Sequence, residues 1–292
     1  MILKLIKAYF ALSSRIAPRL TGRRSFRLFQ KVRIKKIRNR ELAFYDTAKK
    51  FTVPNEKEDI DCFEFGKPTG KLILLVHGWE SNAGSMSKLA IRFSEMGHRV
   101  VAFNLPGHAF YKSSSTNLLE CFTAMKDVLD YLNPTDPISV VSHSLGSAVT
   151  VNALSRSSYA VDRLVFLTCP CRIEDIFLEF KNIISLSDKA YQSLIEKTET
   201  LLGAPLSSLD VDVNLNKIDY NELLLLHDEK DRVLPYSNSK KVAANTSNSS
   251  LISLEKAGHY KMLWSDEVIE HASSFISHGL KKNPSQNLSL VD

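Results

Sequence analysis

From about residue 50 onward, short continuous apolar runs alternate with stretches whose apolar residues recur at helical spacing. No other feature of the chain constrains its fold as strongly. The runs are Lys71–Val76, Arg99–Phe103, Pro137–Val141, Arg163–Leu167, Glu222–Leu226 and Leu251–Leu254. Runs of this kind, without an in-and-out alternation, are the pattern of strands buried on both faces of a parallel sheet. Helical patterns lie between them, over about 83–96, 117–132, 145–157, 236–247 and 265–279. Strand–helix repetition builds a parallel sheet wrapped by helices, an α/β fold. Phe51–Val53 and Ile60–Phe65 read as antiparallel strands added at one edge. With 292 residues the chain is the size of one large domain or two small ones, enough to bury a sizeable core.

One interval breaks the rhythm. More than fifty residues separate the run ending at Leu167 from the run beginning at Glu222, and 173–203 reads as two helices, Ile173–Ser185 and Ser187–Leu202, ended by Gly203-Ala204-Pro205. The spacing predicts a small helical cap over about 170–215, after the sixth strand. In open α/β sheets ligands bind beyond the carboxyl ends of the strands, so a lid there shapes a substrate pocket. The alternative is extra packing with no gating role. The expected organisation is a basic amphipathic segment over 1–45, the α/β domain over 46–280 and a polar, frayed tail over 281–292.

Charge is distributed unevenly. The net charge is +6, but residues 1–50 hold 15 Lys and Arg against Glu41 and Asp46, a net of +13. The remainder holds 23 basic and 30 acidic residues, a net of −7. Charge of that sign suggests nucleic acid when read as an average, yet nothing beyond the charge supports that partner. In the first 20 residues Leu5, Tyr9, Leu12 and Ile16 recur at helical spacing, with Lys4, Arg15 and Arg19 off the stripe. The apolar stretch is too short to span a bilayer, and no small-x-small cleavage site follows it. Two readings stay open: a helix lying on an anionic membrane surface, or a stripe packed on the body with its charges solvated. The matching location is cytoplasmic, peripheral on the inner face of the membrane. Cys62, Cys121, Cys169 and Cys171 are few and scattered, fitting neither a disulfide framework nor a zinc pattern. Free thiols and no metal are expected.

The chemistry concentrates in four places. Val140-Val-Ser142-His143-Ser144-Leu145-Gly146-Ser147 comes directly after a strand and directly before a helix, the position of a nucleophile elbow, whose usual form is G-x-S-x-G. Ser142 replaces the first glycine with another small residue. Ser144 is the candidate nucleophile, and a serine needs a base. His259, in Ala257-Gly-His-Tyr260, follows the last run, and Asp231, in Asp231-Arg-Val-Leu-Pro235, follows the one before it. Both sit at strand ends in the order Ser, Asp, His. The oxyanion hole is assigned to the N–H groups of Leu145 and of Trp79 in His77-Gly78-Trp79. His77, His108, His143 and Cys169 are assigned to the pocket: His77 and His143 flank the catalytic loops and orient backbone rather than transfer protons, His108 lines the entrance and Cys169 the acyl side. Asp228 and Glu229 compete with Asp231 as the acid, but Asp231 has the spacing to Pro235.

Over about residues 50–280 the chain resembles the α/β-hydrolase family, in its serine-hydrolase branch. Phe103-Asn-Leu-Pro-Gly-His108 is similar to that family's F-D-x-P-G-H loop, with Asn104 for Asp, and Asp231-Arg-Val-Leu-Pro235 to its D-x-x-V-P motif, with Leu234 for Val. The resemblance implies an eight-stranded, mostly parallel sheet, a cap after the sixth strand, no cofactor and hydrolysis of acyl bonds. A small-molecule carboxylic ester is the leading substrate, as the most reactive common acyl compound. Thioesters, amides and lactones use the same site. A catalytically silent member that binds a partner or a lipid surface is the rival from another class.

Overall fold

In the computed structural model, which describes residues 2–280, the sheet has eight strands: β1 (Lys49–Val53), β2 (Ile60–Gly66), β3 (Leu72–Val76), β4 (Arg99–Phe103), β5 (Ile138–His143), β6 (Val161–Leu167), β7 (Tyr220–Asp228) and β8 (Ser249–Leu254). Their order is β1-β2-β4-β3-β5-β6-β7-β8. β2 pairs antiparallel with both β1 and β4, and every other pairing is parallel. The sheet expected from the alternating runs is therefore present, with its antiparallel pairings at the edge that the sequence marks.

Helices precede the sheet and fill its crossovers. They are α1 (Ile2–Ile16), α2 (Pro18–Phe29), α3 (Asn39–Thr47), α4 (Ser87–Glu95), α5 (Leu118–Leu132), α6 (Leu145–Leu154), α7 (Ile173–Ile184), α8 (Asp188–Leu202), α9 (Val211–Leu215), α10 (Ser237–Ala244) and α11 (Asp266–His278). The period-two geometry of a strand sends alternate side chains to opposite faces. Leu74, Val76, Val140, Leu164, Phe166, Leu223 and Leu225 accordingly pack with α5, α6 and α10 on one face. Ile73, Leu75, Val141, Val165, Leu167, Leu224 and Leu226 pack with α3, α4 and α11 on the other. All five residues of β3 are buried, as a run apolar on both faces requires.

The long interval after β6 holds α7, α8, a short 3-10 turn and α9. It leaves and rejoins the body at one place: the Val211 N–H donates to the Cys171 carbonyl at 2.9 Å, and Asp210 accepts the Ile173 N–H at 2.8 Å while pairing with Arg172 at 3.2 Å. The boundary drawn at residue 45 falls inside α3, because Phe44 and Tyr45 are buried in the core and the Tyr45 hydroxyl donates to Asn82 Oδ1 at 2.6 Å. The tail 281–292 lies outside the described residues. All four cysteines are free and buried.

Candidate active site

The carboxyl ends of β3, β5, β6, β7 and β8 form one row, since Val76 pairs with Ser142, His143 with Leu167, Leu167 with Leu226 and Asp228 with Leu254. The loops leaving this row carry Trp79, Ser144, Thr168, Asp231 and His259. Sheet register, not sequence proximity, brings together residues more than a hundred positions apart.

Ser144 is the turn between β5 and α6. Its backbone sits at φ 54° and ψ −124°, a conformation that a non-glycine residue holds only under tertiary constraint. The Ser144 N–H donates to the Leu167 carbonyl at 3.1 Å and the Thr168 carbonyl at 2.9 Å, which fixes the turn. Gly146 is required by close approach: a Cβ there would lie 2.4 Å from the Val76 carbonyl oxygen and 2.7 Å from that of His77. The helix thus starts pressed against β3, and its first N–H groups, Leu145 foremost, precede the helix's own hydrogen-bond ladder.

The Ser144 hydroxyl lies 3.1 Å from His259 Nε2, and His259 Nδ1 lies 2.8 Å from Asp231 Oδ2. Nδ1 faces a carboxylate and so carries the ring proton, leaving the Nε2 lone pair toward the serine. Asp231 is held firmly. Its Oδ2 also accepts from the Thr168 hydroxyl at 3.1 Å, and its Oδ1 accepts the N–H groups of Val233 at 2.7 Å and Leu234 at 3.1 Å. Burial pushes this carboxyl up, but the hydrogen bonds from His227 and His259 outweigh it and hold the group well below the ordinary carboxylate range. The competing carboxylates have other partners: Asp228 accepts the Gly258 N–H at 2.6 Å, steadying the loop before His259, and Glu229 is exposed.

On the other side of Ser144 runs the loop after β3. A Cβ at Gly78 would meet that of Ser144 at 3.0 Å, so the Gly78–Trp79 backbone passes directly beside the hydroxyl. Glu80, at φ 53°, gives its N–H to His108 Nε2 at 3.1 Å and its carboxylate to Arg33 at 2.9 Å. Among the described residues the Trp79 N–H has no acceptor.

His77, His108, His143 and Cys169, assigned to the pocket by sequence, are each completely buried and stand behind the loops. The three histidines orient backbone. His77 Nε2 accepts the Leu105 N–H at 3.0 Å and its Nδ1 faces the Gly78 carbonyl at 2.8 Å. His108 faces the Pro106 carbonyl at 2.9 Å and Trp79 edge-on, and His143 Nε2 donates to the His259 carbonyl at 2.8 Å. Burial pushes His108 down to about 4 and His143 down to about 3, and holds His77 well below its ordinary value. The Cys169 thiol, pushed up to about 12 by burial, lies 3.5 Å from Ser239 Oγ. Open space lies instead in a cleft of about 370 Å³ beside Asp231, between α7 (Ile176, Leu178, Glu179) and the turn Arg232–Pro235.

Two residues of the network carry no role in the sequence reading. Thr168, at the end of β6, is β-branched yet sits at φ 50°, an outlier for its type. Its carbonyl holds Ser144 while its hydroxyl donates to Asp231. His227 lies 2.9 Å from that hydroxyl through Nε2 and 2.6 Å from Ser239 Oγ through Nδ1. A polar residue closing the run Leu223–Leu226 was the available signal for His227. Thr168→Val removes the hydroxyl and keeps the shape. It is expected to lower kcat about 10- to 100-fold with KM unchanged, the scale of one hydrogen bond to a charged group. Thr168→Ser should restore most of the rate. Steady-state kinetics on a soluble ester checks both, and a silent Thr168→Val would show that the hydroxyl does not position Asp231.

The family profile described as "Alpha/beta hydrolase family" matches residues 73–270. A serine hydrolase-like protein from Dictyostelium discoideum is 28% identical over 105 residues, 35% of this chain and 29% of that protein, so the match spans under a third of the relative's length. Among solved structures, the Pyrococcus furiosus esterase Pf2001 superposes with a TM-score of 0.60 at 18% identity, covering 85% of this chain and 94% of that one. A membrane phospholipase A described as a bacterial virulence factor superposes with a TM-score of 0.61 at 17% identity, covering 94% of this chain and 96% of that one. Structural likeness at such identities shows the fold alone. The profile match, spanning more than half of the chain, shows the family: this protein belongs to the alpha/beta hydrolase family.

Proposed function

We propose that the protein is a serine hydrolase that cleaves a carboxylic ester through an acyl-enzyme. The observation that carries this reading is the unbroken chain from the Ser144 hydroxyl through His259 to Asp231, with the serine on a strained turn at the carboxyl edge of the sheet. In the proposed reaction His259 Nε2 takes the Ser144 proton as Oγ attacks the acyl carbon. Asp231 stays ionised and stabilises the imidazolium through Nδ1–H. The Trp79 and Leu145 N–H groups receive the negative charge that develops on the acyl oxygen, each contributing about 10²–10³ in rate. His259 then returns the proton to the leaving alkoxide. In the second half His259 takes a proton from water as it attacks the acyl carbon, then returns that proton to Ser144 Oγ as the C–Oγ bond breaks, releasing the acid and free Ser144. The Arg232–Pro235 cleft beside the acid offers room for one arm of the substrate.

A fluorophosphonate probe tests the reading, because it requires an activated serine and no knowledge of the substrate. The wild type should be labelled stoichiometrically at Ser144, by peptide mass, and Ser144→Ala should not be labelled at all. Absence of labelling in folded protein would sink the enzyme reading in favour of a silent hydrolase fold. Among labelled preparations, rates on matched p-nitrophenyl esters, thioesters and anilides identify the bond, with the ester expected fastest.

A further inference from the structure

We infer that α1 and α2 together form a docking face for an anionic lipid surface, a property separate from the hydrolase reading. The apolar stripe legible in the sequence does not pack on the body. Leu5, Tyr9, Leu12 and Ile16 are 64, 45, 64 and 76% exposed. A different side of α1 faces the protein. Phe10 and Ser14 are buried there, and Ser187 at the start of α8 donates to Ser14 Oγ at 3.2 Å and to its carbonyl at 3.0 Å. The helix is thus apolar on two sides, and among the described residues one side packs on the body while the stripe stays exposed apart from the Arg24 contact at the Tyr9 hydroxyl. Water-exposed apolar area of this continuity is the mark of an interaction surface.

The occupant follows from the charges around the stripe. Lys4, Lys7, Arg15, Arg19, Arg23, Arg24 and Arg27 are all exposed, and the first acidic residue of the chain is Glu41. Arg24 Nη1 donates to the Tyr9 hydroxyl at 2.9 Å, joining the arginine row of α2 to the stripe of α1. A helix with leucine, isoleucine and tyrosine at its centre and cations alongside lies in the plane of an anionic interface, its apolar side chains below the headgroups and its cations among them. Among the described residues no helix is long and apolar enough to cross a membrane. A second copy would oppose this uncompensated positive field with its own. A nucleic-acid backbone would satisfy the cations and leave the stripe in water.

The face is anchored, so docking orients the whole molecule. α2 presses on α8 closely enough that a Cβ at Gly22 would lie 2.3 Å from the Ala190 carbonyl oxygen. Phe29 packs tilted against Phe177 and edge-on against Phe180 of α7, at ring distances of 4.2 and 5.1 Å. Removing residues 1–45 would uncover α8, so substitutions on the exposed face are the cleaner test.

The full chain is floated with vesicles of phosphatidylcholine alone and of phosphatidylcholine with about one third phosphatidylglycerol, a content chosen to give a cell-like surface potential. Binding is expected only to the anionic vesicles and should weaken at high salt. Leu12→Glu with Ile16→Glu, and separately Arg23→Glu with Arg27→Glu, should each lower the partition coefficient at least about 10-fold, since each cation near the surface is worth about a factor of five. Both pairs are solvent-facing, so melting temperature and fluorophosphonate labelling should match the wild type, and the outcome does not depend on catalysis. Three results would overturn the inference. They are equal binding to both vesicle types, undiminished binding by both variants, or a dimer in solution that Leu12→Glu with Ile16→Glu converts to monomer.

Discussion

Ser144→Ala should lower kcat on a soluble p-nitrophenyl ester by about 10⁴–10⁶, and His259→Ala by a similar factor. The double variant should be no worse than either single one. The hydroxyl and the base act as one unit, and removing either leaves only the N–H donors beside Ser144 and the binding of substrate. Asp231→Asn is expected to be costly for a further reason. Besides the longer contact from His227 at 3.5 Å, the Asp231 oxygens accept four hydrogen bonds, two at each oxygen. An amide NH₂ must face either the Val233 and Leu234 N–H groups or the Thr168 and His259 donors, and each orientation sets donor against donor. The variant should lose about 10⁴ in kcat and also melt lower, where Ser144→Ala should melt like the wild type. The double-variant kinetics and thermal melts decide this. If Ser144→Ala kept more than about 1% of the wild-type rate in well-folded protein, the nucleophile would lie elsewhere.

Acidification should destabilise the fold well above the pH at which carboxylates titrate. His108 and His143 are buried as neutral rings, pushed down to about 4 and about 3, and His77 is held low as well. Each folded-state value lies below the unfolded one of about 6.5, so below that pH the unfolded chain binds more protons than the native chain. Stability contributed by the neutral rings is therefore complete above about pH 6.5 and is lost as pH falls toward about 4 for His108 and about 3 for His143. Each ring contributes about 1.4 kcal/mol per pH unit while it titrates in that window, so the three together should lower Tm by roughly 7 °C per unit for a domain of this size. Melts monitored by circular dichroism between pH 7.5 and 4.5 give the slope. His143→Asn should flatten it by about one third, because one of the three protonation sites is gone. A Tm independent of pH over that range would mean that the rings are already charged, or solvated, in the native state.

The central strands were legible because they are buried on both faces, and five consecutive apolar residues such as Leu72–Val76 admit little else. Ser144, Asp231 and His259 were legible because each follows a strand, and parallel order places all strand ends on one edge. What a linear pattern does not carry is the side of a loop on which a residue falls. His77 and His143 hold loop backbone, as their places beside the catalytic loops suggest, whereas His108 and Cys169 stand near the site in sequence but are completely buried. The α1 stripe shows the same gap. Its spacing was plain, but Phe10 and Ser14 face the protein while Leu12 and Ile16 do not, and only the packing of α1 on α7 and α8 decides this. Thr168 escaped notice because its contribution comes from a strained φ and a hydroxyl reaching across to another strand's loop, neither of which leaves a local signature.

The excursion from Cys171 to Val211 departs and returns through one narrow neck, closed by the Val211–Cys171 hydrogen bond and by Asp210. No strand pairing lies within it, so its length and content can be rewritten by insertion or deletion while the register of the sheet and the spacing of Ser144, Asp231 and His259 stay unchanged. That makes it the part of the molecule freest to change in length and sequence. It carries one obligation, because α8 is also the seat of α2. Any new version must either keep a groove for Gly22 or arrive with a new first helix pair, which couples the history of α7 and α8 to that of the first thirty residues.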